Sequence, residues 1–208
     1  MTTGKPGKRK QRSALKDLFL LIILSLQGRT GRYSLKKMLN LSEREGLVRL
    51  MLEDLKREGC IEASKTGCGL TEKGKELTKK QLERYMIVDI KEMNLEPLGL
   101  EHECFAFHIH GHPVPQNIVE LRDTAVRAGA DGVVLMHNEE ERLKIPQVYD
   151  DLDLKYPTLA KELRKTFNMS SGDILLVGFS KDKWRALEGA LAAAIKMGGN
   201  QKNSTKQS

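Results

Sequence analysis

The sequence predicts an α+β protein, with an N-terminal helix-turn-helix half followed by a ferredoxin-like (βαββαβ) sandwich. Helical periodicity dominates residues 13–58, whereas strand and helix patterns alternate as β-α-β-β-α-β beyond residue 102. Charge divides the chain in the same way. Residues 1–86 carry 20 Lys and Arg against 10 Asp and Glu, and residues 87–208 carry 15 against 18. Net charges of +10 and −3 indicate two domains with different partners.

The composition is that of a folded protein in a reducing compartment. The chain has 208 residues, 39% of them hydrophobic and 30% charged, enough for two small cores. Aromatic content of 5% disfavours a base-stacking, single-strand-binding surface. The longest apolar run, Leu18–Leu26, is about half of the roughly 20 residues that cross a bilayer, and no cleavage site follows it. Without CxxC spacing, Cys60, Cys68 and Cys104 are expected as free thiols. We expect a cytoplasmic protein without membrane association.

The N-terminal half begins with a basic segment and a helix. Residues 1–12 are polar and predict a disordered basic arm, either a solubilising tail or a phosphate-contacting one. Residues 13–27 then predict a helix with an unusually wide apolar face, typical of a helix buried centrally in a small helical core.

Two further helices are predicted around a tight turn. Residues 35–39 form a short helix that Ser34 can cap. After the turn, Ser42 and Glu45 have the S-x-x-E spacing of a capping box, in which each side chain satisfies the other's backbone N–H. The helix that they open runs to Gly59, where glycine permits the left-handed conformation that ends helices.

Residues 60–77 complete the pattern of elements in this half of the chain. Residues 60–65 alternate as a strand, residues 66–69 form a turn, and residues 70–77 begin a last helix. The segment resembles the winged-helix transcription regulators of bacteria and archaea. Their patterns L-x-x-L-x-x-x-G-x-I and L-T-x-x-G-x-x-L appear here at residues 52–61 and 70–77. The resemblance covers roughly residues 14–86, so residues 13–86 are interpreted as a winged-helix DNA-binding domain.

The resemblance implies which residues would contact double-stranded DNA, because the second helix of such a motif enters the major groove. The expected DNA-binding residues are Lys36, Lys37, Ser42, Arg44, Arg49 and Lys65. The two lysines at the start of this set would lie near phosphates, and the last would lie on the wing. The alternative is a structural or protein-interaction module with solvated charges. Glu43 favours that alternative, unless it accepts a hydrogen bond from a cytosine amino group.

The C-terminal half is predicted as a linker, a sandwich and a tail. Residues 87–101 are the linker, which begins with a short connecting strand, residues 102–198 the α+β domain, and residues 199–208 a disordered tail. Strands are expected at residues 103–110, 131–137, 142–146 and 173–180. Helices are expected at residues 115–128, 155–167 and 182–197.

Three histidines at alternate positions mark the first strand of this domain. His108 and His110 share one strand face, about 7 Å apart, and the phenylalanines share the other. In a ferredoxin-like fold the helices would cover the phenylalanine face, which leaves the histidines on an open face. His112 belongs to the turn that follows. Two imidazoles at this spacing can share a metal, but a metal site needs three or four ligands. The possible completions, His102, Cys104 and His137, have no fixed spacing, so we predict a ligand-binding or dimer face, with a metal site as the alternative.

Catalytic motifs are not found. The sequence has no GxSxG, HExxH or P-loop, and no Cys/His pair with an evident orienting group. Residues 171–173, Ser-Gly-Asp, are interpreted as ordinary turn residues before a buried strand. We therefore expect no enzyme activity and no cofactor.

The whole arrangement resembles an archaeal family of winged-helix proteins known as a domain of unknown function. The segments G-D-I-L-L-V-G-F at 172–179 and A-L-E-G-A-L-A-A-A at 186–194 carry this resemblance, which covers residues 14–198. It implies a transcriptional regulator. We expect a homodimer that binds duplex DNA and whose C-terminal domain pairs subunits or senses a small-molecule effector. The alternatives are an enzyme of small-molecule or metal chemistry in the C-terminal domain, and a protein-interaction adaptor.

Overall fold

The computed structural model describes residues 7–199, so residues 1–6 of the predicted arm and 200–208 of the predicted tail lie outside it. The chain divides into two compact units, an N-terminal unit of residues 1–81 and a C-terminal unit of residues 82–208. Within the described part, no helix is long and apolar enough to cross a membrane.

The N-terminal unit has the predicted order of elements. Its bounds are α1 Gly7–Gln27, α2 Arg32–Met38, α3 Glu45–Arg57, β1 Ile61–Ser64, β2 Gly67–Leu70 and α4 Glu72–Glu83. The predicted stripe of α3 is confirmed, because Val48, Met51, Leu52 and Leu55 are all buried. The strands β1 and β2 form an antiparallel hairpin. The arm prediction is corrected over residues 7–12, which belong to α1, since Lys, Arg and Gln are good helix formers.

The predicted capping box does not form. The helix α3 begins at Glu45, with Arg44 at the N-cap and no side-chain cap. The Glu45 carboxylate instead lies 3.4 Å from Arg32 and 3.7 Å from Lys36, both on α2. The Glu45 side chain therefore pairs with two cations of α2 instead of accepting the hydrogen bond of a capping box. Ser42 lies in the turn before the helix.

Two local boundaries also differ from prediction. The helix α2 is capped by the backbone of Gly31, three residues before Ser34, without a side-chain cap. The predicted turn 66–69 is mostly strand β2, because Cys68 pairs with Ala63 across the hairpin and with Thr30 beside it. The turn itself contains Lys65.

The C-terminal unit is a five-stranded antiparallel sheet with helices, in the strand order β3-β4-β7-β5-β6. Its strands are β3 Ile87–Leu95, β4 Leu100–Ile109, β5 Gly132–Glu139, β6 Arg142–Lys144 and β7 Ile174–Ser180. Its helices are α5 Ile118–Arg127, α6 Leu152–Lys155, α7 Pro157–Phe167 and α8 Lys183–Gly199, with a 3-10 turn at Glu96–Leu98. The fold is thus a mixed α+β one.

The prediction of a linker at 87–101 is wrong. These residues form β3, the 3-10 turn and the start of β4, because residues 87–95 pair along β4 as an edge strand. The sheet therefore has five strands where the ferredoxin-like prediction has four. Its last strand in sequence, β7, lies between β4 and β5.

Helices cover both faces of the sheet, which corrects the predicted open face. On one face, Gly178 lies opposite Phe105, and a Cβ at Gly178 would be 2.4 Å from the Ala186 carbonyl oxygen of α8. On the other face, Cys104 and Ala106 pack in a cluster with the apolar residues of α7. Both faces of β4 are apolar over most of their length, so burial of each requires its own layer of helix.

Candidate functional site

The six expected DNA-binding residues lie on α2, α3, the turn between them and the β1–β2 hairpin of the N-terminal unit. Lys36 and Lys37 are on α2, Ser42 and Arg44 in the turn before α3, Arg49 on α3, and Lys65 in the β1–β2 turn. All are exposed except Lys36, which is half-buried. The surface is basic, and its side chains extend into solvent where a polyanion can reach them.

Several of these cations already have partners. The Lys36 and Lys37 ammonium groups lie 5.5 and 4.7 Å from the centroid of the exposed Tyr33 ring, an arrangement of cation–π type. The Arg49 guanidinium donates to Glu53 at 2.8 Å, which raises the pKa of Arg49. Since these pairs lie at the surface, they can exchange partners at low cost.

The outer face of α3 is apolar in its N-terminal half. Leu47 and Leu50 are 39% and 53% exposed, and Gly46 precedes them on the same surface. A Cβ at Gly46 would meet no atom within 4 Å, so packing does not require glycine there. Sequence reasoning missed this surface, because a leucine in an amphipathic helix is usually assigned to the core.

A second cluster surrounds a buried carboxylate in the C-terminal unit. Asp173, 1% exposed, precedes β7. It accepts hydrogen bonds from His108 Nε2 at 2.8 Å and from His110 Nδ1 at 2.7 Å. It also accepts the backbone N–H of Ser170 at 2.8 Å. The cluster thus joins β4 to the loop between α7 and β7.

The two histidines occupy different environments. His108 is buried, and its ring meets the edge of Phe167 of α7 at a centroid distance of 5.9 Å. The predicted open position is therefore wrong for His108, because α7 covers it. His110 lies at the surface, with 63% of its side chain exposed.

The protonation of Asp173 determines how the imidazoles are oriented. Burial alone raises its pKa, but the Ser170 N–H, His108 and His110 outweigh burial, and the pKa lies below its usual value. An ionised carboxylate only accepts hydrogen bonds, so both facing ring nitrogens carry hydrogen. In neutral His110 the proton on Nδ1 leaves Nε2 as an exposed lone pair.

The loop that carries Asp173 is held by Asn138, at the end of β5. The Asn138 amide Nδ2 donates to the Ser170 carbonyl at 2.8 Å, and its backbone N–H donates to the Asp173 carbonyl at 2.8 Å. The Gly172 N–H donates to the Asn138 carbonyl at 2.7 Å. The predicted turn before a buried strand is present at residues 171 and 172, and these hydrogen bonds additionally hold Asp173 in place.

His112 does not join the other histidines. Its ring is buried, with Nδ1 2.6 Å from the Pro113 carbonyl oxygen and Nε2 3.2 Å from that of Met197. Of the three alternate histidines, His108 and His110 therefore share the Asp173 carboxylate, whereas His112 contacts backbone carbonyl oxygens. Among the residues that the structure describes, no group of three or more His, Cys, Asp or Glu side chains could hold a metal ion.

A groove of about 780 Å³ lies at the other end of the same sheet. It is lined chiefly by polar residues, Glu92, Asn94, Glu96, His102, Glu103 and Lys181. His102 Nδ1 is buried and has no hydrogen-bond partner among the described residues. The size is in the range of small-molecule sites.

Comparison with known proteins relates the chain to proteins without an assigned role. Residues 102–197 match the model of DUF4443, a domain of unknown function. A solved structure, hypothetical protein PH0730 from Pyrococcus horikoshii OT3, is 25% identical with a TM-score of 0.69, over 90% of this chain and 94% of that chain. No curated protein matches. The expected similarity to an archaeal protein and to a domain of unknown function is therefore confirmed, although the family model covers only residues 102–197 of the C-terminal unit, and only the similarity to the solved structure extends over 90% of the chain.

Proposed function

We propose that the chain is a DNA-binding transcriptional regulator whose N-terminal unit acts as a winged helix. The observation that carries the proposal is the row of exposed cations at the α2–α3 turn and the hairpin, represented by Lys37, Arg44 and Lys65. They lie within a segment of net charge +10 over residues 1–86. The order of three helices, a hairpin and a helix supports the proposal, because α3 is then the helix that enters the major groove.

Local geometry also supports this role for α3. Glu45 would repel phosphates at the N-terminus of the helix, but Arg32 and Lys36 neutralise it. The positive end of the helix dipole and Arg44 at the N-cap then favour an anion at this point. Phosphate contacts would thus come from the turn and α2, and base contacts from the outer face of α3.

The experiment is the salt dependence of duplex binding by the full chain. Neutralisation of each phosphate contributes about −0.9 to the slope of log K against log salt. The double variant Lys37→Ala and Arg44→Ala is expected to bind more weakly, with a slope reduced by about two. Lys161→Ala, an exposed lysine of α7, is the matched control and should leave the slope unchanged. No duplex binding at low ionic strength, or binding insensitive to salt, would contradict the proposal.

The C-terminal unit, in the same proposal, binds a small-molecule effector or pairs subunits into a homodimer. The polar groove between β3, β4 and Lys181 is the candidate effector site, and exposed His110 lies on a surface suited to a subunit contact. Sedimentation of wild type and His110→Ala measures whether the chain is a homodimer and whether His110 lies at the subunit contact. A dimer that dissociates in the variant supports it, and an unchanged state of assembly excludes His110 from the contact.

One observation favours a second candidate, an enzyme in the C-terminal unit with the N-terminal unit as scaffold or protein-interaction module. A buried carboxylate behind Nδ1 of an exposed His110 is the arrangement of an oriented general base. Acylation by p-nitrophenyl acetate measures the reactivity of that imidazole. Loss of a fast phase in both His110→Gln and Asp173→Asn would favour the enzyme, and equal rates in all three proteins would count against it.

A further inference from the structure

We propose that Leu47 and Leu50 of α3 read sequence by contact with the 5-methyl groups of thymine in the major groove. This inference rests on the proposed DNA-binding function and names the feature of the duplex that α3 recognises. Thymine presents a methyl group in the major groove, and apolar side chains recognise it there.

The exposure of the two leucines is the first support. The opposite face of α3 is fully used by the buried stripe of Val48, Met51, Leu52 and Leu55. Leu47 and Leu50 lie outside that stripe and are 39% and 53% exposed. They are three residues apart, so they lie side by side on one helix face. Leu50 lies farther from the core, and we expect it to make the larger contact.

The occupied polar groups of α3 are the second support. Recognition of guanine or adenine requires a side chain that presents two hydrogen-bonding atoms to the base edge. Arg49 is paired with Glu53, and Arg57 is paired with Asp54. Because such surface pairs can exchange a partner for a phosphate, these arginines are better suited to the DNA backbone than to a base edge. On the described surface of α3, the two leucines are therefore the large side chains without a polar engagement that face outward near the helix N-terminus.

Glycine at position 46 allows the close approach that a methyl contact needs. A Cβ there would have no neighbour within 4 Å, so the missing side chain leaves open space beside Leu50. Arg44 at the N-cap adds positive charge at the end of α3 that carries this apolar patch, and Lys37 is an exposed cation of the preceding helix α2. A small apolar patch near cations is complementary to a duplex with methyl groups between its phosphates, and less so to an apolar protein surface.

The experiment compares thymine with uracil, which lacks only the 5-methyl group. Duplexes that the full chain binds are first selected from a random-sequence library. Each thymine of a selected site is then replaced by uracil, singly and together. We expect a loss of affinity on the order of fourfold for each contacted methyl group. Uracil in place of thymines outside the selected site should change nothing.

Protein variants assign the effect to the two leucines. The double variant Leu47→Ala and Leu50→Ala should bind thymine and uracil duplexes equally, each single variant should lose the discrimination at its own thymine, and alanine preserves the helix. Leu154→Ala, which shortens an 85% exposed leucine of the C-terminal unit, should keep the wild-type discrimination.

The outcomes separate this inference from the proposed function. Salt-dependent binding with equal affinity for thymine and uracil overturns the methyl contact and leaves DNA binding intact. Full discrimination that persists in the double leucine variant also overturns it, because the methyl groups are then read elsewhere. The absence of duplex binding overturns both.

Discussion

Both units have ion pairs at the surface, but the C-terminal unit also buries a carboxylate that two histidines engage. In the N-terminal unit the ion pairs lie at the surface, as Arg49–Glu53 does, where a pair contributes about 0–1 kcal/mol. In the C-terminal unit one carboxylate, Asp173, is buried and engaged by two imidazoles. Removal of one member of a buried charged group typically costs about 3–5 kcal/mol. Exposed pairs can exchange one partner for a phosphate, whereas the buried cluster fixes the structure around it.

The largest effect on stability is expected from the variant Asp173→Ala. We expect a loss of about 3–5 kcal/mol in the free energy of unfolding, because His108 would stay buried without its partner. Urea denaturation measures it. Asp150→Ala, at an exposed aspartate, should cost far less. A loss below about 1 kcal/mol in Asp173→Ala would remove the distinction between the units, since that is the range of surface pairs.

Acid should weaken the same cluster. The pKa of Asp173 in the folded protein lies below its usual value, so its contribution to stability is present above about pH 3.9 and is lost as pH falls through the lower, folded value. Urea midpoints between pH 6 and pH 2 should therefore fall more steeply for wild type than for Asp173→Asn. Parallel curves for the two proteins would show that Asp173 is not the group responsible.

His108 and His110 should contribute differently to the free energy of unfolding, because only His108 is buried. His108→Ala removes a buried hydrogen bond and the contact with Phe167, and we expect a loss of about 2–3 kcal/mol. His110→Ala removes a bond at the surface, for which we expect about 1 kcal/mol or less. Thermal and urea unfolding of the pair provide the measurement. Equal losses would mean that exposure of His110 has no energetic consequence.

Two glycines test whether the units also differ in how closely their elements are packed. Gly46→Ala should raise the free energy of unfolding by about 0.5–1 kcal/mol, because the position is helical and open. In the proposed function it should also weaken DNA binding. Gly178→Ala is the contrast, since its Cβ would lie 2.4 Å from the Ala186 carbonyl oxygen. A stabilised Gly178→Ala variant would be incompatible with the packing of α8.

The smallest effect is expected from Glu53→Ala. The i,i+4 pair with Arg49 is exposed, so the free energy of unfolding should change by about 0.5 kcal/mol or less. Equilibrium urea unfolding at low and high salt checks this. A loss near that of Asp173→Ala would show that the surface pairs of the N-terminal unit are structural.

Local patterns of the sequence were sufficient for much of the fold. The stripe of α3 and the buried phenylalanines of β4 follow from spacing alone, and both are confirmed. Patterns that depend on distant neighbours were not predictable. Asp173 lies 65 residues from His108, and its turn-like context gave no sign of an imidazole partner. Glu45 matched a capping box by spacing, but its partners are on another helix.

The incorrect prediction that His108 lies on an open face of the sheet has a similar cause. Alternation along β4 correctly separates His108 from Phe107, but it does not reveal whether a second layer covers the histidine side. That layer is α7, which was predicted as a helix but was expected, with the other helices, on the phenylalanine face. The exposed leucines of α3 could have been suspected, because four apolar residues already complete the buried stripe and Leu47 and Leu50 exceed what one face can hold.

The central position of β7 has a consequence for synthesis of the chain. It is the last strand to be made, yet it lies between β4 and β5. On the ribosome, where chains emerge from the N-terminus, the α3 region can pack early, since its partners are close in sequence. The sheet of the C-terminal unit cannot join its two halves until residue 180 has emerged. Until then β4 and β5 both have an unpaired edge, and an unpaired strand edge is a template for pairing with another chain.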